Sequence, residues 1–96
     1  MKSHATPGIT VSITGTGSYL PAKVLTNADM EKIVETTDEW ISQRTGIRER
    51  HIARDDESTS DMAVEASKRA MASAGIEAAA IDMIVVATIT PDMVFP

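Results

Sequence analysis

Cysteine is absent from the 96 residues, which excludes disulfides and a thiol nucleophile within this stretch. The two histidines, His4 and His51, are too few to make a good zinc site. Lys and Arg are outnumbered nine to fourteen by Asp and Glu, for a formal net charge of −5, and a chain of that sign repels nucleic acid backbones. No apolar run approaches the length of a membrane-spanning helix, and the opening MKSHATPG has no apolar core of the kind a secretory signal needs, so a cytosolic protein is expected. Aromatics are nearly absent: Tyr19, Trp40 and Phe95 are the whole set, so the placing of each carries weight.

What is present is ordinary for a folded protein, with 43% hydrophobic and 24% charged residues. One small domain is the most this length can hold, and its stability would be marginal. Residues 1–8 are polar, include Pro7 and Gly8, show no periodicity and are expected to form a mobile tail. ITVSIT then alternates Ile9, Val11 and Ile13 with polar residues, the period-two pattern of a strand with one buried face. GTGSYLP reads as an ordered turn. Leu20 stands where a dinucleotide fingerprint needs its third glycine, so Gly15 and Gly17 shape backbone rather than cradle a pyrophosphate.

Thr26 or Asn27 can cap a short helix carrying Met30, Ile33 and Val34. Thr37 can cap a second that begins with Asp38 and Glu39, and Gly46 suits its end. IRERHIA is expected to be a strand or extended arm. Ser58 and Asp61 make a capping-box pattern for a helix ending at Gly75, whose inner face is small: Met62, Ala63, Ala66, Ala70, Met71 and Ala74. IDMIVVATI, almost continuously apolar, predicts a strand buried on both faces. Such a strand needs sheet neighbours and covering helices that this chain does not supply, so the order of elements fits the beginning of a larger α/β domain.

Three groups of residues bear on chemistry. Trp40 and Arg44 lie one turn apart on the second helix, so an indole face and a guanidinium could receive a purine and a phosphate, with the Thr36 hydroxyl close by. On spacing alone, a Trp40 packed in the core and an Arg44 paired with Asp38, Glu39 or another acid is the commoner arrangement. Arg44, Arg48, Arg50 and Arg54 concentrate positive charge that could meet phosphates or an acidic partner. Local neutralisation by Glu49, Asp55, Asp56 and Glu57 is favoured for Arg50 and Arg54. Phe95 follows the apolar strand, and since ligands in α/β proteins bind at strand ends it is expected either to line a pocket or to serve equally well as an ordinary packing residue. No activated nucleophile with a base in reach is visible: Ser18 lacks the G-x-S-x-G elbow, and the carboxylates sit where helix capping explains them.

GTGSYLP, TNADMEKIVETTDEWISQRTGIRERHIA and IDMIVVATITPDMVFP together resemble the β-ketoacyl-acyl carrier protein synthase III family over residues 13–96. The resemblance implies an α/β chain forming the N-terminal part of a thiolase-like α/β/α layered fold, incomplete here, with residues 9–96 opening its first half. It also implies an acyltransferase that condenses acyl-CoA, classically acetyl-CoA, with malonyl-acyl carrier protein as carbon dioxide leaves. The family's cysteine, histidine and asparagine lie downstream of the matched positions, so this stretch alone is expected to be inactive.

By the same resemblance Trp40 stacks on the adenine of coenzyme A, with Arg44 and Thr36 beside it. Phe95 is the pocket aromatic that reaches across a homodimer interface and limits acyl length. The alternatives are a binding module for coenzyme A or a carrier protein, a structural fragment completed by another chain, and a related condensing enzyme of secondary metabolism.

Overall fold

Local capping chemistry starts each of the three α-helices among the described residues. Thr26 accepts from the Asp29 N–H while the Asp29 carboxylate accepts from the Thr26 N–H, a reciprocal box that opens α1, Asn27–Glu31. Thr37 caps α2, Asp38–Thr45, by accepting from the Trp40 N–H, and Gly46 ends it in the left-handed region at φ 73°. Ser58 and Asp61 form a second capping box for α3, Thr59–Ala74, which Gly75 closes at φ 70°. The computed structural model describes residues 8–95. The expected tail, with His4, therefore lies outside the described residues except for Gly8.

The one sheet among the described residues has two antiparallel strands, β1 (Lys23–Thr26) and β2 (Glu49–Ile52), in a register that sets Lys23 opposite Ile52 and Thr26 opposite Glu49. β2 falls within the arm expected from IRERHIA. β1 was not expected, because four residues are too few to show a period, and it exists by pairing across the α1–α2 unit with a segment 23 or more positions away. Ile33 and Val34, expected on the first helix, lie just past its end and are exposed.

α3 turns its small residues inward as the sequence predicts, with Met62, Ala63, Ala66, Ala70, Met71 and Ala74 all half-buried. The chain at Gly15 and Gly17 lies directly on that face. A Cβ at Gly15 would come within 2.6 Å of the Ala74 backbone nitrogen, and one at Gly17 within 2.5 Å of the Ala66 carbonyl oxygen. This close approach is the physical reason for both glycines. Tyr19 extends the contact: its hydroxyl donates to Glu57, and the Arg69 guanidinium sits 5.5 Å from its ring centroid while donating to the Ser18 carbonyl at 2.8 Å.

Two expectations are corrected. Residues 9–13 and 81–89 are not in hydrogen-bonded strands, and their apolar side chains are exposed, from Ile81 at 39% to Ile89 at 99%. A strand exists only by pairing, and among the described residues nothing pairs with either segment. Ile41 is the only buried hydrophobic among the described residues. The radius of gyration is 18.8 Å, against roughly 13 Å for a compact domain of this length. The sheet and covering layer that the apolar pattern calls for are not made by these residues.

Candidate functional site

α2 has two sides. Residues two apart are about 200° apart around a helix, so Asp38 and Ser42 form one row and Trp40 and Arg44 another on the opposite side. The inner row is tied down: the Ser42 hydroxyl donates to Asp38 Oδ1 at 3.1 Å, and Arg48 Nη1 donates to Ser42 Oγ at 3.3 Å. Asp38 is held below the usual carboxylate range, chiefly by the Asn27 amide and then by Ser42.

The outer row is open. Trp40 is 54% exposed, and the Arg44 guanidinium carbon lies 5.5 Å from its ring centroid. Neither the core placement of Trp40 nor an ion pair of Arg44 with Asp38 or Glu39 occurs among the described residues. Glu35, Thr36, Thr37 and Trp40 line an open concavity of about 320 Å³. Thr36 and Trp40 thus border one hollow as a hydroxyl and a flat π face, and the Arg44 cation lies over the indole beside it. An arrangement of that kind can stack a planar base and meet a phosphate.

The remaining arginines divide. Arg54 pairs with Asp56 at 2.9 Å and Glu57 at 3.5 Å, the local neutralisation expected of it. Arg50 makes no such pair among the described residues; it donates to the Leu25 carbonyl at 3.3 Å and to the Asn27 side-chain oxygen at 2.9 Å, so it serves the fold through other partners. His51 Nδ1 donates to the Pro21 carbonyl at 2.6 Å, joining β2 to the glycine-containing turn. The sequence showed no partner for it, because Pro21 is 30 positions away.

Phe95 does not line the hollow at Trp40 and is 80% exposed. The turn before it is pinned to the start of α3: the Thr59 hydroxyl donates to the Thr90 carbonyl at 2.6 Å, and the Ser60 N–H donates to Asp92 at 3.0 Å. Ser60 holds the Asp92 carboxyl below its ordinary value. The residue that sequence reasoning missed is Asn27, considered only as a possible cap. It is 2% exposed and lies at the junction of α1, α2 and β2.

No family model matches the chain. Among curated proteins, it is 67% identical over 84 residues to the β-ketoacyl-[acyl-carrier-protein] synthase III of Xanthomonas oryzae pv. oryzae, covering 88% of this chain and 26% of that protein. It is 60% identical over 88 residues to the synthase III of Caldanaerobacter subterraneus, covering 92% of this chain and 27% of the relative. Among solved structures, the 3-oxoacyl-[acyl-carrier-protein] synthase III of Aquifex aeolicus aligns with a TM-score of 0.79 and 52% identity over 88% of this chain and 27% of its own. The priming β-ketosynthase of the R1128 polyketide pathway aligns with a TM-score of 0.69 and 41% identity, over 79% of this chain and 25% of its own. The two glycines on α3, the capped α2 and the paired β1–β2 therefore belong to a thiolase-like architecture. Over about nine-tenths of its length the chain is similar to β-ketoacyl-[acyl-carrier-protein] synthase III proteins, and it spans about a quarter of the length of the curated relatives it matches.

Proposed function

We propose that these residues form one wall of the coenzyme A site in a β-ketoacyl-acyl carrier protein synthase III, in which Trp40 stacks on the adenine while Arg44 and Thr36 hold the neighbouring phosphate and ribose end. The observation that carries this reading is the exposed indole and guanidinium, 5.5 Å apart, beside the hollow at Thr36. A tryptophan that is 54% exposed leaves apolar ring surface in water, which a purine would cover favourably.

The whole enzyme joins the acyl group of an acyl-CoA to malonyl-acyl carrier protein. The acyl–sulfur bond of the CoA thioester breaks, a carbon–carbon bond forms, and carbon dioxide and free coenzyme A leave. The cysteine, histidine and asparagine for those steps belong to positions beyond the match. The part of Trp40, Arg44 and Thr36 is to hold the substrate's remote end, and binding energy gathered there orients the thioester at the reacting centre. Phe95 lies in the acyl pocket and reaches across a homodimer interface; its exposure here agrees with a side chain that packs against another surface. The setting is the cytoplasm.

The test is decarboxylative condensation by the complete synthase polypeptide carrying these residues, supplied with acetyl-CoA and malonyl-acyl carrier protein. Formation of acetoacetyl-acyl carrier protein, with Trp40→Ala raising the KM for acetyl-CoA, supports the reading. Condensation with a KM insensitive to Trp40→Ala refutes the assigned site. The likeness to a priming polyketide ketosynthase favours one second reading, the same step feeding a secondary-metabolite assembly line, and an acceptor preference for that pathway's carrier protein would mark it.

A further inference from the structure

α2 has almost no apolar anchorage. Its one buried residue is Ile41, so packing alone fixes poorly how the helix is rotated about its own axis. The polar contacts that do fix it converge on Asn27. The Asn27 backbone N–H donates to the Arg48 carbonyl at 3.1 Å. Its side-chain Nδ2 donates to Asp38 Oδ1 at 2.7 Å and to the Ile47 carbonyl at 2.8 Å, and its Oδ1 accepts from Arg50 Nη2 at 2.9 Å.

Two N–H protons serve two short bonds, which leaves the 3.3 Å approach to Ser42 Oγ as a minor, shared contact. Both N–H donors of the carboxamide and one lone pair of its oxygen are thus engaged, and it grips α2 at its first residue and just beyond its last. No other natural side chain of this size offers two donors and an acceptor in one plane.

We propose that Asn27 is the positioning residue of the nucleotide subsite: by clamping the inner side of α2 through Asp38 and Ile47, it sets the angle at which Trp40 and Arg44 face the ligand. This rests on the proposed coenzyme A site. Asn27 touches no ligand itself. Its effect passes through the helix, so a substitution should weaken recognition of the nucleotide end and leave the pantetheine end alone.

The test compares acetyl-CoA with acetyl-pantetheine, which lacks the nucleotide, in the complete synthase polypeptide. Asn27→Asp sets a carboxylate against Asp38 and removes both donors. We expect it to lower kcat/KM for acetyl-CoA about tenfold, mainly through KM, with little change for acetyl-pantetheine. Asn27→Asp combined with Asp38→Asn, which exchanges the acid and the amide, should recover part of the loss.

Equal losses with both substrates, or no loss with acetyl-CoA, overturn the proposal. Trp40→Ala separates the two levels: if it impairs acetyl-CoA while Asn27→Asp does not, only the positioning role falls; if it has no effect, the site and the role fall together. Should Asn27→Asp fail to fold, Arg50→Lys removes the guanidinium bond to the carboxamide, and the same comparison of substrates decides in the same way.

Discussion

The Arg44 guanidinium lies over the Trp40 ring at 5.5 Å, and neither side chain is buried or needed to close the fold. Replacing either should therefore separate binding from stability. Trp40→Ala is expected to cost about 1–3 kcal/mol of coenzyme A affinity, the usual worth of a base stacked on an aromatic. The unfolding free energy should change by no more than about 0.5 kcal/mol, as for exposed positions generally. Calorimetric titration and urea unfolding of the same samples measure the two quantities.

The glycine at position 17 makes the opposite demand. A methyl group there would meet the α3 backbone at Ala66 and Ala70, and backbone cannot swing aside as a flexible side chain can. Gly17→Ala should destabilise by about 1–3 kcal/mol through forced separation of the segment from the helix. A urea midpoint equal to that of the parent would show that the segment does not rest on α3.

Ser58 opens α3, satisfying the Asp61 N–H with its hydroxyl and returning its own N–H to the Asp61 carboxylate. Ser58→Ala is expected to cost about 1 kcal/mol, and Ser58→Thr, which keeps the acceptor, much less. The difference between these two variants in thermal unfolding checks the cap independently of any ligand.

Acid should loosen the chain through its capping carboxylates. Asp29 is lowered by the Thr26 N–H, Asp38 by the Asn27 amide, Asp61 by the Ser58 N–H and Asp92 by Ser60. Each folded value lies below the unfolded one, so the unfolded state takes up protons first as pH falls. The stabilisation is complete above the unfolded carboxylate value and is lost as pH drops through the folded values. The urea midpoint is expected to be flat near neutrality and to fall below about pH 4. Asp61→Asn should make that fall shallower, and a midpoint that rises on acidification would contradict the assignment.

Local signals were legible in the sequence wherever a few neighbouring residues decide the structure. Thr37, Ser58 with Asp61, Gly46 and Gly75 mark the ends of α2 and α3, and the six small or flexible residues of α3 are the ones turned inward. What could not be read depends on partners far along the chain. β1 needs β2, His51 needs Pro21, and Arg50 needs Asn27.

The apolar runs at 9–13 and 81–89 have the sequence of strands yet do not pair, since pattern records which environment a segment is suited to and pairing requires that the environment be present. Of the site, helical spacing put Trp40 and Arg44 on one face. Spacing could not tell the outer side of α2 from the inner one, because that choice is made by Asn27, a polar residue at a helix start that capping already seemed to explain.

A crystal structure of the complete synthase polypeptide with bound coenzyme A tests the central claim most directly. The account predicts the adenine ring flat against Trp40, with a phosphate oxygen within hydrogen-bond distance of Arg44. Coenzyme A bound with its nucleotide end away from α2, and Trp40 still facing water, would contradict it.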